Sequence, residues 1–248
     1  MRLSLGAKSD PGPRKGDNQD NALIAVLPDR PDVALAVVAD GMGGHKSGAA
    51  ASAEAVRALQ ERLVERGLPQ EGEEIECLCE AIRAANTSIH QMGASSPDME
   101  GMGCTIVAAL VVGDRFWIAS VGDSRAYLIR HENVIQLTQD HTWVNARVQE
   151  GVLTQEQADT HMLRHVLDRA LGPEPEVEVD CWPASSLEAG DIVVLSTDGL
   201  HSVLGSDAIL KGVTAAEDAQ QAAEELVALA LAAPTEDNVT VAIIMAED

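Results

Sequence analysis

The chain has 248 residues and a strongly acidic composition, with 40 Asp and Glu against 17 Lys and Arg and a formal net charge of −23. This balance excludes nucleic acid as a partner, because phosphate backbones are bound by clustered Lys and Arg. Three Trp, one Tyr and one Phe are too few for surfaces that stack bases or sugars. Apolar residues make up 46% of the chain, which is enough for a substantial core.

No segment of the sequence predicts secretion or a membrane span. The start, MRLSLGAKSD, lacks the apolar stretch of a signal peptide, and the longest apolar run near the C-terminus, residues 226–233, is far too short to cross a bilayer. Cys77, Cys79, Cys104 and Cys181 form no CxxC pair and show no zinc-finger spacing. We therefore expect reduced thiols in a soluble cytoplasmic protein, and the acidic surface favours a monomer.

Short apolar runs alternate with amphipathic segments along the chain. Their length and β-branched content predict buried strands at residues 22–27, 33–39, 105–112, 116–121, 126–130, 192–196 and 239–245. Apolar residues at helical spacing predict helices at residues 47–66, 75–92 and 215–232. The polar stretch 143–168 predicts a helical surface insert, a kind of segment that often borders a binding site.

The order of these elements indicates the fold class. The strands at 105–112, 116–121 and 126–130 follow one another through short polar turns, so they pair as antiparallel hairpins, since a parallel pair needs a crossover of about a dozen residues. Two successive helices then cover one face. We therefore expect an α+β fold with antiparallel sheets flanked by helices. No repeat or linker interrupts the chain, which predicts a single domain over residues 1–248.

Five aspartates lie at the ends of predicted strands: Asp20, Asp40, Asp123, Asp198 and Asp237. A carboxylate at a buried strand end is unfavourable unless something neutralises it, and several that converge raise one another's pKa. A divalent cation would resolve both problems, and all-oxygen ligation favours Mg²⁺ or Mn²⁺ over zinc. Glycines follow Asp40 and Asp198, so a backbone carbonyl can approach an ion there. Taken singly, each aspartate is more typical of a turn or a cap; the metal site is predicted from their joint placement.

Eight short motifs follow one another along almost the whole chain. They are RKGDNQD (14–20), VADGMGGH (38–45), MGCT (102–105), VGDSRAY (121–127), LTQDH (137–141), RALG (169–172), GDIVVLSTDGL (190–200) and DNVT (237–240). In this order and at this spacing they resemble the metal-dependent protein phosphatases, the PPM or type 2C family, in their compact bacterial form. The resemblance implies two antiparallel β-sheets packed as a sandwich, flanked by α-helices, and it places the family's flap at about residues 143–168.

The resemblance also implies a centre of two or three Mn²⁺ or Mg²⁺ ions, the third bound more weakly than the first two. Asp40 resembles the carboxylate that bridges the first two ions, with the Gly41 carbonyl on one of them. The other protein ligands of the second ion correspond to Asp198 and Asp237. Asp20 resembles the carboxylate that holds a metal-bound water, and the third ion corresponds to Asp123 together with Asp198.

The implied activity is hydrolysis of phosphoserine and phosphothreonine on proteins, by attack of a metal-bridging water or hydroxide without a covalent phosphoenzyme. A phosphate ligand is expected five residues before Asp20, where Lys15 stands, while Arg14 lies six before it. We favour Arg14, because a guanidinium binds phosphate bidentately, and keep Lys15 as the alternative. His45 is the candidate general acid for the leaving group.

Two weaker candidates for the general acid are His141 and His161. Two further classes of protein stay open from the sequence. One is a non-catalytic module that keeps the fold and binds a partner, and the other is an acidic interaction protein whose aspartates are merely solvated. Retention of all five carboxylates favours the enzyme.

Overall fold

The computed structural model describes residues 1–13, 16–27, 30–43, 45–67 and 72–247. Its strands are β1 (Arg2–Asp10), β2 (Asp20–Leu27), β3 (Arg30–Met42), β4 (Gly103–Cys104), β5 (Ile106–Val112), β6 (Arg115–Val121), β7 (Arg125–Arg130), β8 (Asn133–Gln136), β9 (Asp180–Ser186), β10 (Ile192–Ser196) and β11 (Val239–Glu247). The α-helices are α1 (His45–Leu59), which a π-helical turn extends to Glu65, α2 (Glu74–Ser95), α3 (Trp143–Gln149), α4 (Gln155–Asp159), α5 (Asp198–His201), α6 (Ser206–Thr214) and α7 (Ala219–Ala232).

The strands form two sheets, one in the order β1-β11-β10-β7-β8 and the other in the order β2-β3-β5-β6-β9, with β4 beside the end of β3. Each of these pairings is antiparallel. The hairpin connections predicted for β5, β6 and β7 hold for β5–β6, whereas β7 crosses to the other sheet. The α+β class with two antiparallel sheets is confirmed.

The side chains of β3 show how the sheets form a sandwich. Ala34, Ala36 and Val38 pack in the core that also contains residues of β7, β10 and β11 from the other sheet. The alternate residues Leu35 and Val37 pack in a second core with α1 and α2. This period of two places one face of the strand against the opposite sheet and the other face against helices. A third core joins α6 and α7 to the outer face of the first sheet.

Several elements were missing from the sequence prediction. The strands β1, β8 and β9 lie at the edges of their sheets, and their mixed polar sequences lack the apolar runs that mark central strands; β9 even contains Pro183. The helix predicted from residue 215 begins instead at Ala219, because the side chain of Asp218 caps it by accepting a hydrogen bond from the Gln221 N–H at 2.8 Å.

A disulfide joins Cys79 on α2 to Cys181 on β9, with Cα atoms 6.8 Å apart. The expectation of reduced thiols is wrong for this pair, whereas Cys77 and Cys104 are free. The two cysteines are 102 residues apart in sequence. They meet only because α2 packs across the sheet whose edge strand is β9. Among the described residues, no helix has the length and hydropathy that a membrane crossing requires.

Candidate active site

The structure brings the five predicted aspartates together at one end of the sandwich. Asp20 opens β2 and lies opposite Asp40 near the end of β3. The other three come from segments that meet the same end: Asp123 follows β6, Asp198 begins α5 directly after β10, and Asp237 precedes β11. Asp40 is close enough to the other four carboxylates for each to raise its pKa. The convergence inferred from strand ends is confirmed.

Hydrogen bonds between the two sheets hold Asp20 in place. The Thr197 hydroxyl donates to Oδ2 of Asp20 at 2.9 Å and accepts from the Thr240 N–H at 3.0 Å. The side chain of Asp20 is almost wholly buried, and its second oxygen, Oδ1, has no hydrogen-bond partner among the described residues. A buried carboxylate oxygen without a donor is unfavourable, so this atom fits contact with a cation or with water bound to one.

The carboxylates resist ionisation in the absence of a cation. Burial, opposed by the nearby Thr240 and Thr197 hydroxyls, raises the pKa of Asp20 to about 7, with further contributions from Asp198 and Asp237. Burial and the neighbouring Asp198 and Asp140 raise the pKa of Asp123 to about 8.

The pKa of Asp40 also lies well above its ordinary range, first because of burial and then because of the four other aspartates. Raised carboxyl pKa values of this kind are what a divalent cation reverses, because its charge favours the ionised form.

The basic residue nearest to Asp123 in sequence is engaged elsewhere. The Arg125 guanidinium donates from Nε to Oδ1 of Asp140 at 2.9 Å and from its terminal nitrogen to Oδ2 at 2.7 Å. In this bidentate pair the guanidinium is directed at Asp140. Of the groups that affect the pKa of Asp123, Arg125 has the smallest effect, a slight lowering. The negative charge at the end of the sandwich is therefore not neutralised by this arginine.

Two glycines next to aspartates are required by close backbone approach. A Cβ on Gly41 would lie 2.2 Å from the Gly48 carbonyl oxygen of α1, and a Cβ on Gly199 would lie 1.9 Å from the Asn238 carbonyl oxygen. Any side chain would push these segments apart. The glycines thus let α1 approach the Asp40 turn and let the Asp237 turn approach Asp198.

A cleft of about 1200 Å³ opens over the aspartates. Its floor includes Asp40, Asp123, Asp198 and Asp237, and the flap, residues 143–168, contributes Val144, Asn145, Gln155, Ala158, Asp159, Arg164, His165 and Leu167. The flap consists of α3, α4 and turns. The polar insert that the sequence predicted beside the site is therefore partly helical.

Sequence reasoning missed His165, whose Nδ1 lies 3.8 Å from Oδ2 of Asp198. No spacing rule marks this histidine, because only the fold of the flap brings it over the cleft.

The donor set suits a hard cation completed by carbonyl and water oxygens. Within the described ranges, no three Asp, Glu, His or Cys side chains are arranged to hold an ion by themselves. Mg²⁺ and Mn²⁺ accept mixed shells of carboxylate, carbonyl and water oxygen, and carboxylates together with an approachable Gly41 backbone provide such donors.

Four other candidates have different outcomes. Arg14 and Lys15 lie outside the described residues. His45 is the first residue of α1. His141 and His161 do not line the cleft: His141 is buried against Gly122 and Asp180, and His161 stacks on Trp143 within the flap, with ring centroids 5.2 Å apart. Both are corrected from weaker general-acid candidates to residues with structural contacts.

Known structures share this fold. A serine/threonine phosphatase from S. agalactiae superposes with a TM-score of 0.92 at 33% identity, covering 99% of this chain and 100% of that one. The catalytic domain of the serine/threonine protein phosphatase PstP, solved with two manganese ions, superposes with a TM-score of 0.84 at 33% identity, covering 99% of each chain. The fold and the site therefore define a phosphatase of the metal-dependent class.

Sequence comparison agrees with the structural comparison. The serine/threonine phosphatase Stp of Listeria monocytogenes is 34% identical over 238 residues, which cover 96% of this chain and 93% of that protein. The profile of the family "Protein phosphatase 2C" matches residues 14–232. The chain belongs to the protein phosphatase 2C family, and it is a metal-dependent serine/threonine protein phosphatase.

Proposed function

We propose that the five aspartates at the end of the sandwich form the catalytic metal centre of this phosphatase. The observation that carries the proposal is the group of aspartates in which burial and neighbouring carboxylates raise the pKa values of Asp20, Asp40 and Asp123. Such a group is stable at neutral pH only when protons or cations compensate it. Cations are the better match, because Oδ1 of Asp20 is buried and no donor reaches it from the part of the chain that the structure describes.

The individual roles follow from position and from the family resemblance. Asp40 would hold the first two ions together with the Gly41 carbonyl. Asp198 and Asp237 would be further ligands of the second ion, and Asp20, which Thr197 orients, would hold a water of the centre.

Asp123, together with Asp198, provides a third and weaker site. The ions are Mn²⁺ or Mg²⁺, which fit the oxygen donors.

When bound, the ions supply Lewis-acid neutralisation of the phosphate charge and an activated water. The chain's own residues do the rest. Arg14 binds the phosphate oxygens as a bidentate donor, with Lys15 as the alternative, and so stabilises the charge that spreads over these oxygens. His45 donates a proton to the departing serine or threonine oxygen. The flap covers the cleft and limits the access of bulk water to it.

A covalent phosphocysteine route is not part of the proposal. Cys104 pairs with Gly41 through β4 and is fully buried. Burial and the charge of Asp40 raise the pKa of its thiol. A thiol is a weak nucleophile when protonated, so hydrolysis proceeds by direct attack of water on phosphorus.

The biological setting is also part of the proposal. Residues 1–248 form a single catalytic domain with the flap inserted at about 143–168, and the protein acts as a cytoplasmic monomer on phosphoproteins. The net charge of −23 supports solubility and disfavours nucleic acid and anionic membranes as partners.

The test is metal-dependent hydrolysis of a phosphothreonine peptide by the purified chain. We expect turnover with Mn²⁺ or Mg²⁺, its loss in EDTA, and at least a 100-fold lower kcat for Asp40→Asn. Asp114→Asn is the matched control, because Asp114 is exposed in the turn at the far end of β5 and β6. Absence of turnover with either ion, together with tight binding of a protein partner, would instead support the non-catalytic module.

A further inference from the structure

The two ends of the flap form a small antiparallel ladder of their own. The Trp143 N–H donates to the Val166 carbonyl at 2.8 Å, and the Asp168 N–H donates to the His141 carbonyl at 2.9 Å. Thr142 and Leu167 form a bridge between these two bonds. We call residues 141–143 and 166–168 the flap base, because the rest of the flap lies between these two segments.

His141 connects the flap base to the peptide just before Asp123. Its backbone N–H donates to the Gly122 carbonyl at 3.0 Å, and its ring Nδ1 accepts from the Gly122 N–H at 3.0 Å. One residue therefore satisfies both polar groups of Gly122. Because Nδ1 accepts, the ring proton of the neutral imidazole is on Nε2.

The other side of the ring contacts an ion pair that extends from the flap base. Nε2 lies 3.2 Å from Oδ2 of Asp180, and Oδ1 of Asp180 accepts from the Arg169 guanidinium at 2.6 Å. Arg169 directly follows the flap base in sequence. The side chain of His141 is only 6% exposed, so its ring is fixed from both sides, by Gly122 and by Asp180.

Asp123 is also held on its C-terminal side. The hydroxyl of the next residue, Ser124, lies 2.7 Å from the hydroxyl of Thr105. Thr105 in turn accepts a hydrogen bond from the Asp40 N–H at 3.0 Å. Asp123 thus lies between one neighbour bound to the flap base and another bound to the strand that carries Asp40.

We propose that His141 is a positioning residue that couples the flap base to the Asp123 carboxylate. A displacement of the flap base moves the His141 ring and with it the Gly122–Asp123 peptide. By thermodynamic reciprocity, a cation held by Asp123 in turn orders the flap. The metal half of this inference rests on the proposed function, while the coupling between the flap base and the Asp123 loop does not.

Two substitutions separate the two contacts of the ring. In His141→Asn the amide oxygen lies near the place of Nδ1 and can accept from the Gly122 N–H, but the side chain is too short to reach Asp180. In His141→Gln the longer side chain can donate to Asp180 from the place of Nε2, but it does not present an acceptor to Gly122. His90→Gln is the matched control, because Nδ1 of His90 also contacts a loop glycine, in this case the Gly172 carbonyl at 2.9 Å.

The first measurement is amide hydrogen exchange of the metal-free protein, resolved for residues 120–124 and 143–168. We expect His141→Gln to speed exchange of residues 120–124 at least tenfold, and His141→Asn to leave it within twofold while the flap exchanges faster. His90→Gln should change neither segment. Unchanged exchange of both segments in both His141 variants would overturn the coupling, whatever the role of the metals.

The second measurement is Mn²⁺ binding by calorimetry. We expect His141→Gln to weaken the weaker site about tenfold and to leave the tighter sites within twofold, because only Asp123 is displaced. Weakening of all sites alike, in parallel with a lower Tm, would show a merely structural role and would overturn the positioning role. If the wild-type protein binds no Mn²⁺, the proposed function fails, while the exchange experiment still decides the coupling. If His141→Gln does not fold, Asp180→Asn replaces it, with faster flap exchange expected and an unchanged flap contradicting the proposal.

Discussion

Asp20 and Asp40 lie directly opposite each other on the neighbouring strands β2 and β3. Carboxylates placed opposite each other on paired strands repel, and this pair adds burial to the repulsion. The fold therefore stores an unfavourable interaction at the site that we propose binds cations. The free energy of unfolding of the metal-free protein should therefore depend on pH, and bound metal should change that dependence.

The first prediction concerns this pH dependence. The pKa of Asp20 is raised from 3.8 to about 7 and that of Asp123 to about 8, so between these limits the folded state binds more protons than the unfolded state. The free energy of unfolding of the metal-free protein should therefore fall as pH rises from about 4 to about 8. With Mn²⁺ bound the carboxylates are ionised throughout, and this fall should disappear.

Denaturant titrations at pH 5, 6.5 and 8, in EDTA and in Mn²⁺, measure the difference. The buried His141 and the half-buried His201, whose pKa values are lowered by desolvation, destabilise the protein as pH falls below about 6.5. They do so in both samples, so their effect cancels in the difference. Asp123→Asn should flatten the metal-free profile. An equal slope with and without Mn²⁺ would contradict the prediction.

The second prediction concerns Thr197, which links Asp20 to β11. Thr197→Val removes the donor to Asp20 and leaves the buried Thr240 N–H without its acceptor. An unsatisfied buried group costs about 1–3 kcal/mol, so the free energy of unfolding should fall by that amount and kcat should fall with it. Thr197→Ser keeps both bonds and should recover most of both losses; a valine variant as stable as the serine variant would refute the assignment.

The amino-acid sequence was sufficient to predict that the aspartates lie together, because each is at one end of a strand whose apolar run is clear. Asp40 follows a run of buried β3 residues and Asp198 follows β10, so the apolar runs alone were enough to place these carboxylates at strand ends. The contacts of His141 and His165 could not be predicted, because they depend on how the flap folds back over the cleft. Hydrophobic periodicity carries no information about that arrangement.

Edge strands and the disulfide were missed for a related reason. β9 is exposed along much of its length, so its sequence shows no apolar alternation. It becomes a strand by pairing with β6. Cys79 and Cys181 become neighbours only once β9 is placed beside β6 and α2 is packed over that sheet. Both features are consequences of tertiary contacts between distant segments.

The third prediction concerns this disulfide. It closes a loop between residues 102 positions apart. A cross-link that closes a loop of about 100 residues lowers the conformational entropy of the unfolded chain and so stabilises the folded state by up to about 4–5 kcal/mol. Reduction should therefore lower the Tm of the wild-type protein by several degrees, and Cys181→Ser should lower it by a similar amount. Reductant should have no effect on Cys181→Ser. Mass spectrometry of the protein after alkylation in denaturant without reductant tests whether two thiols, rather than four, react with the reagent.

The fourth prediction concerns the phosphate ligand. A guanidinium binds two phosphate oxygens at once, whereas an ammonium acts as a point charge. Arg14→Ala should therefore raise KM for a phosphothreonine peptide at least tenfold and more than Lys15→Ala does. Arg14→Lys should restore only part of the loss. The reverse order of the two alanine variants would assign the phosphate to Lys15.

The fifth prediction concerns the backbone approach at Gly199. A Cβ at this position would lie 1.9 Å from the Asn238 carbonyl oxygen, so Gly199→Ala must separate the turn that carries Asp237 from the start of α5 that carries Asp198. Two ligands of one proposed ion would move apart, and we expect Mn²⁺ affinity to fall more than 100-fold. Gly205→Ala is the control, because no atom lies within 4 Å of a Cβ there. Calorimetric titration of both variants measures their Mn²⁺ affinity, after circular dichroism has shown that both are folded to the same extent. Wild-type affinity in a folded Gly199→Ala protein would show that Asp198 and Asp237 do not share an ion.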